Sequence, residues 1–233
     1  MTNNYYDRDK HGYMRYPDDR FADYIYSLIA DDSFLNYKTA IEFGAGMGRF
    51  SASVIKHFSK TTLVEPVPAY TDILKKKFPN NCVRILTCSV EEFLSTRTSY
   101  EPALFFCFHL MHHLTYGQRK IIYHHIKKTD SKCVLVEPNP LNPLLLIQLA
   151  IYPDMSFSQE KQYLSLTKRR YKKEIENAGL SLTSFKRICF LPPFILNIIL
   201  KRFSNHFITS FERLNKIVPF LSSYQLITFE NNG

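Results

Sequence analysis

The chain has 233 residues, 45% of them apolar and 22% charged, enough to bury a core and too hydrophobic for wholesale disorder. Basic residues number 30 against 21 acidic, +9 in all, and residues 160–233 alone hold 12 basic and 5 acidic side chains, a net +7. The apolar uncharged runs 138–153 and 188–200 are shorter than the roughly 18–20 residues of a spanning helix, and the polar start MTNNYYDRDKHGYMRY lacks the apolar core of a signal peptide. These features predict a cytoplasmic protein, with peripheral membrane contact left open by the basic third.

Residues 1–16 read as a polar, aromatic arm. Pro17 opens a helix, with Asp18 and Asp19 in the first turn where the dipole favours anions, and Phe21, Tyr24, Ile25 and Leu28 at helical spacing. Strand and helix signals then alternate. Strands are expected at 39–43, 62–64, 83–88, 103–108 and 133–136. Helices are expected at 49–58, 69–78, 91–94 and 116–128. The strands are continuous apolar runs instead of alternating ones, the pattern of a parallel sheet covered on both faces. The expected fold is therefore α/β, a doubly wound sheet. Beyond it, 141–151 is an apolar helix-like stretch, and 168–178 is a basic helix ended by Gly179. Strands follow at 181–191 and 224–229, with amphipathic helical segments at 194–203 and 207–218 between them.

Glycine is scarce: seven in all, three of them at Gly44, Gly46 and Gly48 in Ile41-Glu42-Phe43-Gly44-Ala45-Gly46-Met47-Gly48-Arg49-Phe50. Here a strand ends, a tight turn forms and a helix begins, so the backbone can approach a ligand beside free helix N–H groups. The spacing is G-x-G-x-G. The dinucleotide fingerprint needs its third glycine where Arg49 stands, and no phosphate-loop motif exists. Glu65 follows the second strand, 19 residues after Gly46. In an open α/β sheet that strand end lies beside the first turn, where a carboxylate can accept hydrogen bonds from both hydroxyls of a ribose.

On these residues the chain resembles the class I S-adenosylmethionine-dependent methyltransferases over roughly 35–140, and less closely through the last strand. The resemblance implies a seven-stranded sheet, five parallel strands plus an antiparallel sixth and seventh. It divides the chain into an N-terminal arm and helix (1–34), a cofactor-binding core (35–140) and substrate-lid helices with the C-terminal strands (141–233). It implies S-adenosylmethionine as cofactor, cradled at its methionine end by Gly44, Ala45, Gly46 and Gly48. Glu42 would order the loop or the amino group, and Glu65 would bind the ribose. Ser89 and Val90 stand where the family contacts adenine, although the usual acid there is a serine here. Phe108 and the segment His109-Leu110-Met111-His112-His113-Leu114 stand beside the methyl donor. Glu137-Pro138-Asn139-Pro140 resembles a common family ending of the fifth strand.

His109, His112 and His113 are the catalytic candidates, because a neutral imidazole can take the proton of a hydroxyl or thiol acceptor. The alternative is that they pack beneath the loop. No metal site is expected, since H-x-x-H-H lacks a nearby carboxylate partner and falls on a turn. Phe108, Tyr13 and Tyr16 are candidates to face the cofactor's positive sulfur or close the pocket. The five cysteines, in no C-x-x-C pair, read as reduced and mostly buried. His124 and His125 read as structural.

The segments 141–151 and 194–207 occupy the lid position and are strongly apolar, the second edged by Lys186, Arg187, Lys201 and Arg202. That predicts an apolar or amphipathic small-molecule substrate, with an anionic membrane surface as one source of it. Two alternatives remain at this point. One is a nucleic-acid methyltransferase, motivated by the +7 region but lacking a visible RNA-binding module. The other is a non-catalytic cofactor-binding protein, motivated by Ser89 and by Ala103 where the family often has an aspartate.

Overall fold

The computed structural model describes residues 19–79, 82–97, 101–151, 157–203 and 205–231. The proposed arm and its Tyr13 and Tyr16 lie outside them. Seven strands form one sheet: β1 (Thr39–Phe43), β2 (Lys60–Val64), β3 (Val83–Leu86), β4 (Leu104–Phe108), β5 (Lys132–Pro138), β6 (Ser181–Ile188) and β7 (Tyr224–Glu230). Their order is β3-β2-β1-β4-β5-β7-β6. The first five are parallel, and β7 runs antiparallel between β5 and β6. This is the expected doubly wound sheet with an antiparallel pair at one side. Every residue of β4, LFFCF, is buried, as a strand covered on both faces requires.

The helices are α1 (Arg20–Ile29), α2 (Ser51–His57), α3 (Pro68–Lys77), α4 (Val90–Thr96), α5 (Tyr116–Lys128), α6 (Pro143–Ile151), α7 (Phe157–Glu160), α8 (Lys168–Asn177), α9 (Pro193–Ile199), α10 (Asn205–Phe211) and α11 (Leu214–Ile217). Local chemistry starts and stops several of them. Thr115 and Gln118 form a reciprocal capping box on α5, which satisfies two otherwise unpaired backbone donors. Pro68 opens α3, where its missing N–H costs nothing. Past α8, Gly179 takes φ +72°, the left-handed stop that glycine adopts without a Cβ clash.

On one face of the sheet Tyr24 and Ile25 of α1, Val54 of α2, and Leu196 and Leu200 from the α9 segment pack on Leu104, Phe106 and Val134. On the other, Phe93 of α4, Ile122, Tyr123 and Ile126 of α5, and Tyr171 and Ile175 of α8 pack on Phe43, Phe105 and Leu135. Truncating a fully buried phenylalanine such as Phe105 or Phe106 is worth about 3–5 kcal/mol. The second face also holds a buried ion pair. Arg119 donates from Nε and Nη2 to Glu174 at 2.9 and 2.8 Å, and from Nη1 to the Leu114 carbonyl at 2.6 Å.

Three expectations change. All five cysteines are free, but Cys82 is exposed and Cys88 half-buried, so the expected burial holds for Cys107, Cys133 and Cys189. The strand expected over 181–191 ends at Ile188, because Cys189 turns to φ +65°. Arg187 donates to Gln225 on the neighbouring strand at 3.3 Å and lies over Phe185, so it belongs to the sheet edge and not to the lid. His125 accepts no role near the pocket: its Nε2 lies 3.2 Å from Arg97.

In the strand order the chain leaves β1 toward β2 on one side and reaches β4 on the other. The carboxyl ends of β1 and β4 therefore open the crevice where α/β sheets bind ligands.

Candidate active site

The glycine turn leaves the end of β1 with Gly44, Gly46 and Gly48 at φ +66°, +54° and +78°. Gly44 N–H donates to the Val64 carbonyl at 2.8 Å, tying the turn to the end of β2. Glu65, one residue further, is 5% exposed. It accepts from Gly46 N–H through Oε2 at 2.8 Å and from Val67 N–H through Oε1 at 3.0 Å. A carboxylate offers about four lone-pair sites, so these two bonds anchor it and leave capacity for a ligand's hydroxyls. Burial raises its pKa, and the two backbone donors oppose that rise. Gly48 does a different job. A Cβ there would come within 2.8 Å of Leu74 and Phe78, so its role is close packing on α3, and it does not line the cavity.

Glu42, on β1, is 1% exposed. Its Oε2 has no hydrogen-bond partner among the described residues. Burial pushes its pKa up to about 8, with Glu65 adding to the rise and Ser51 and Lys77 opposing it. An unpartnered buried carboxylate oxygen is costly unless a ligand supplies a donor. Between Glu42 and Glu65 opens a cavity of about 330 Å³, bordered by Gly44, Ala45, Gly46, Arg49, Pro66, Val67 and Tyr70 at this end. The Arg49 guanidinium lies over the Phe21 ring at 4.5 Å and beside Phe50 at 5.1 Å. Phe50 stacks in turn on Phe108 at 4.5 Å, so one wall is aromatic.

The other end of the cavity is built by the segment after β4. His109 holds φ +55°, a strained value for a residue with a side chain. Its ring sits 4.6 Å from Tyr224 and 5.7 Å from Phe50. Its Nε2 is buried without a partner among the described residues. Burial, then the charges of Arg49 and the neighbouring histidines, holds it well below the usual imidazole range, so it is neutral. His113, next to His112, is pushed down to about 3 by burial and by His112. His112 is opposite in character. Burial alone would lower it, yet Glu137 and Glu160 raise it to about 9. Its Nδ1 donates to Glu137 Oε2 at 2.7 Å and its Nε2 to Glu160 Oε2 at 3.2 Å. Both ring nitrogens are thus occupied by carboxylates, and neither is open to take a substrate's proton in this arrangement.

Glu137 organises the segment. Besides His112 it takes Leu110 N–H and Met111 N–H, both at 2.9 Å on Oε1. The expectation that the histidines lack a carboxylate is therefore overturned: β5 and α7 deliver two, from 25 and 48 residues away. Glu160 also carries no local sequence signal. Glu137 had one, a charge at the end of an otherwise apolar strand.

Of the twelve residues proposed from the sequence, Glu42, Gly44, Ala45, Gly46, Glu65, Phe108, His109, His112 and His113 line one cavity. Gly48, Ser89 and Val90 do not. Ser89 caps α4, its Oγ accepting from Glu92 N–H at 3.2 Å while Glu92 Oε2 accepts from Ser89 N–H at 2.7 Å. Val90 is buried in the core beneath. The cavity roof comes from the C-terminal region: Leu145 of α6, Glu160, Pro193 and Tyr224. Asn139 and Asn142 hold that roof, donating to the Pro219, Leu221 and Ser222 carbonyls at 2.8–3.1 Å.

No family model and no curated protein matches the sequence. Solved structures do match the fold. A SAM-dependent methyltransferase from Archaeoglobus fulgidus superposes with a TM-score of 0.59 at 16% identity, over 85% of this chain and 88% of its own. The methyltransferase domain of bacterial CtHen1 gives 0.60 at 13%, over 92% and 100%. The plantazolicin methyltransferase BamL, solved in complex with a triazolic desmethylPZN analog and SAH, gives 0.58 at 14%, over 97% and 87%. The fold of this chain is that of the class I S-adenosylmethionine-dependent methyltransferases.

Proposed function

We propose that this chain is an S-adenosylmethionine-dependent methyltransferase whose acceptor is an apolar or amphipathic small molecule. The observation that carries the cofactor reading is Glu42. A buried carboxylate oxygen without a partner among the described residues shares a cavity with a positive-φ glycine turn and the doubly anchored Glu65. Those residues fit the group: Glu42 would meet its ammonium, Glu65 its ribose, and the Gly44–Gly46 backbone its methionine portion. When bound, the cofactor supplies a methyl group already activated on a sulfonium. What remains for the chain is alignment and exclusion of water.

His109 is the residue suited to the acceptor's proton. Its neutral ring and unpartnered Nε2 border the cavity. Its weak basicity is no obstacle, because an acceptor hydroxyl becomes strongly acidic as it gains a methyl group. Calorimetric titration with S-adenosylmethionine and with S-adenosylhomocysteine tests the cofactor reading. Both should bind at one equivalent, and failure of both removes it.

The acceptor reading rests on the roof and its outer surface. Leu145 faces the cavity, while Leu141, Leu144, Leu146, Ile147, Ile198, Phe203, Phe207, Ile217 and Phe220 are exposed. Exposed Lys201, Arg202, Arg213 and Lys216 lie among the last of these. No helix of the described residues is long and apolar enough to cross a membrane. An apolar surface with a basic edge suits shallow contact with anionic headgroups, from which an amphipathic acceptor would enter. Co-sedimentation with phosphatidylserine-containing liposomes at low salt should recover the protein in the pellet, and its absence there would remove the membrane route.

A further inference from the structure

We infer that His112, His113 and Glu160 form a binding site for one divalent transition-metal ion, zinc or a close neighbour, in the wall of the cavity opposite the glycine turn. One ligand atom from each, two imidazole nitrogens and a carboxylate oxygen, lies within 4.8 Å of the others. His112 Nε2 and Glu160 Oε2 are already 3.2 Å apart, joined in the metal-free chain by a proton that the ion would displace to solvent on binding. Two ligands on a tetrahedral ion with bonds near 2.0–2.1 Å sit about 3.4 Å from each other, so that pair is at ligand spacing, and a His113 nitrogen lies within 4.8 Å of both.

The surroundings support an ion more than a simple ion pair. His112 Nδ1 is held by Glu137 Oε2 at 2.7 Å, the carboxylate–histidine arrangement that orients a metal-bound imidazole and raises its basicity. Glu137 is itself locked by the Leu110 and Met111 N–H groups, so the support is rigid. The two histidines share the short 3-10 turn Met111–His113, and their rings are 4.0 Å apart. Two like bases packed side by side and capped by a buried carboxylate make a cation-seeking set. Two histidines and one carboxylate suit zinc, iron, cobalt or nickel better than calcium or magnesium, which prefer all-oxygen shells.

Three protein ligands leave a coordination position open, as in catalytic and not structural zinc sites. All three residues line the cavity. The open position would take an oxygen of a bound hydroxyl-bearing molecule. That last step rests on the methyltransferase reading, whereas the ion site does not.

The test is titration of the metal-free full chain with Co²⁺, followed by its visible ligand-field bands, then displacement by Zn²⁺. One equivalent should bind with the intense bands of a four- or five-coordinate ion. His113→Ala and Glu160→Gln should each weaken uptake at least tenfold, with far-UV circular dichroism confirming the fold. Glu137→Gln should weaken it roughly 10–100-fold without removing a ligand. No stoichiometric uptake by the wild type, only the weak bands of a six-coordinate solvated ion, or uptake unchanged in both ligand variants would overturn the site. The wild-type spectrum decides even if the variants misfold. Because the titration contains no cofactor, its failure and the failure of cofactor binding are separate results.

Discussion

At the glycine-turn end of the cavity Glu65 reaches Gly46, and both belong to one strand–turn–helix–strand unit. At the histidine end His112 is held by Glu137 and Glu160, which come from β5 and from α7. The first end is made chiefly of backbone groups set by glycine. The second is made of buried charges that satisfy one another. A backbone cradle can be assembled from a short stretch of chain. A charge cluster needs the whole sheet and its roof in place, since a carboxylate buried without its partner would be expelled or protonated.

The largest effect expected from this contrast is on stability. Glu137→Ala removes the acceptor of the Leu110 and Met111 N–H groups and a partner of His112. It should cost about 3–5 kcal/mol, read by urea denaturation. A loss below about 1 kcal/mol would show that the histidine end is not held by its charges. Glu65→Ala should act on binding instead, weakening S-adenosylhomocysteine by about 1–3 kcal/mol through lost charged hydrogen bonds. Unchanged affinity would remove its ribose role.

The pH dependence of Glu42 sharpens the cofactor end. Its folded-state pKa, about 8, lies above the ordinary 4.5. The native chain therefore keeps a proton that the unfolded chain releases. That contribution to stability is full below about pH 4.5 and is lost as pH rises through about 8, at up to about 1.4 kcal/mol per pH unit. Denaturation midpoints across this window should fall in the ligand-free wild type and flatten in Glu42→Gln. S-adenosylhomocysteine affinity should rise over the same window, as the ionised carboxylate pairs with the ligand ammonium. The smallest stability effect belongs to the roof. Ile217, 75% exposed, should tolerate serine within about 0.5 kcal/mol, while Ile217→Ser with Ile198→Ser should reduce liposome co-sedimentation.

The legible parts of the molecule share a property. The apolar strand runs, the stop at Gly179 and the G-x-G-x-G turn all act over a few residues, and each appears in the structure where its pattern predicts. Ser89 shows how such a signal can mislead. Its position suggested a ligand contact, yet Ser-Val-Glu-Glu is also a capping box, and the local hydrogen bonds take the side chain. Gly48 is similar: it belongs to the motif, but its missing Cβ makes room for Leu74 and Phe78.

The sequence alone determined the sheet, its parallel core and the glycine-turn end of the cavity, because those depend on periodicity, turn geometry and one spacing of 19 residues. It also placed the histidines beside the cavity. Only the tertiary structure decided their chemistry. His109 stays neutral because burial and Arg49 disfavour its charge, while His112, three residues on, is charged because β5 and α7 bring Glu137 and Glu160 to it. Desolvation and partner charge at a buried group depend on what packs there from distant parts of the chain, and no local pattern records that.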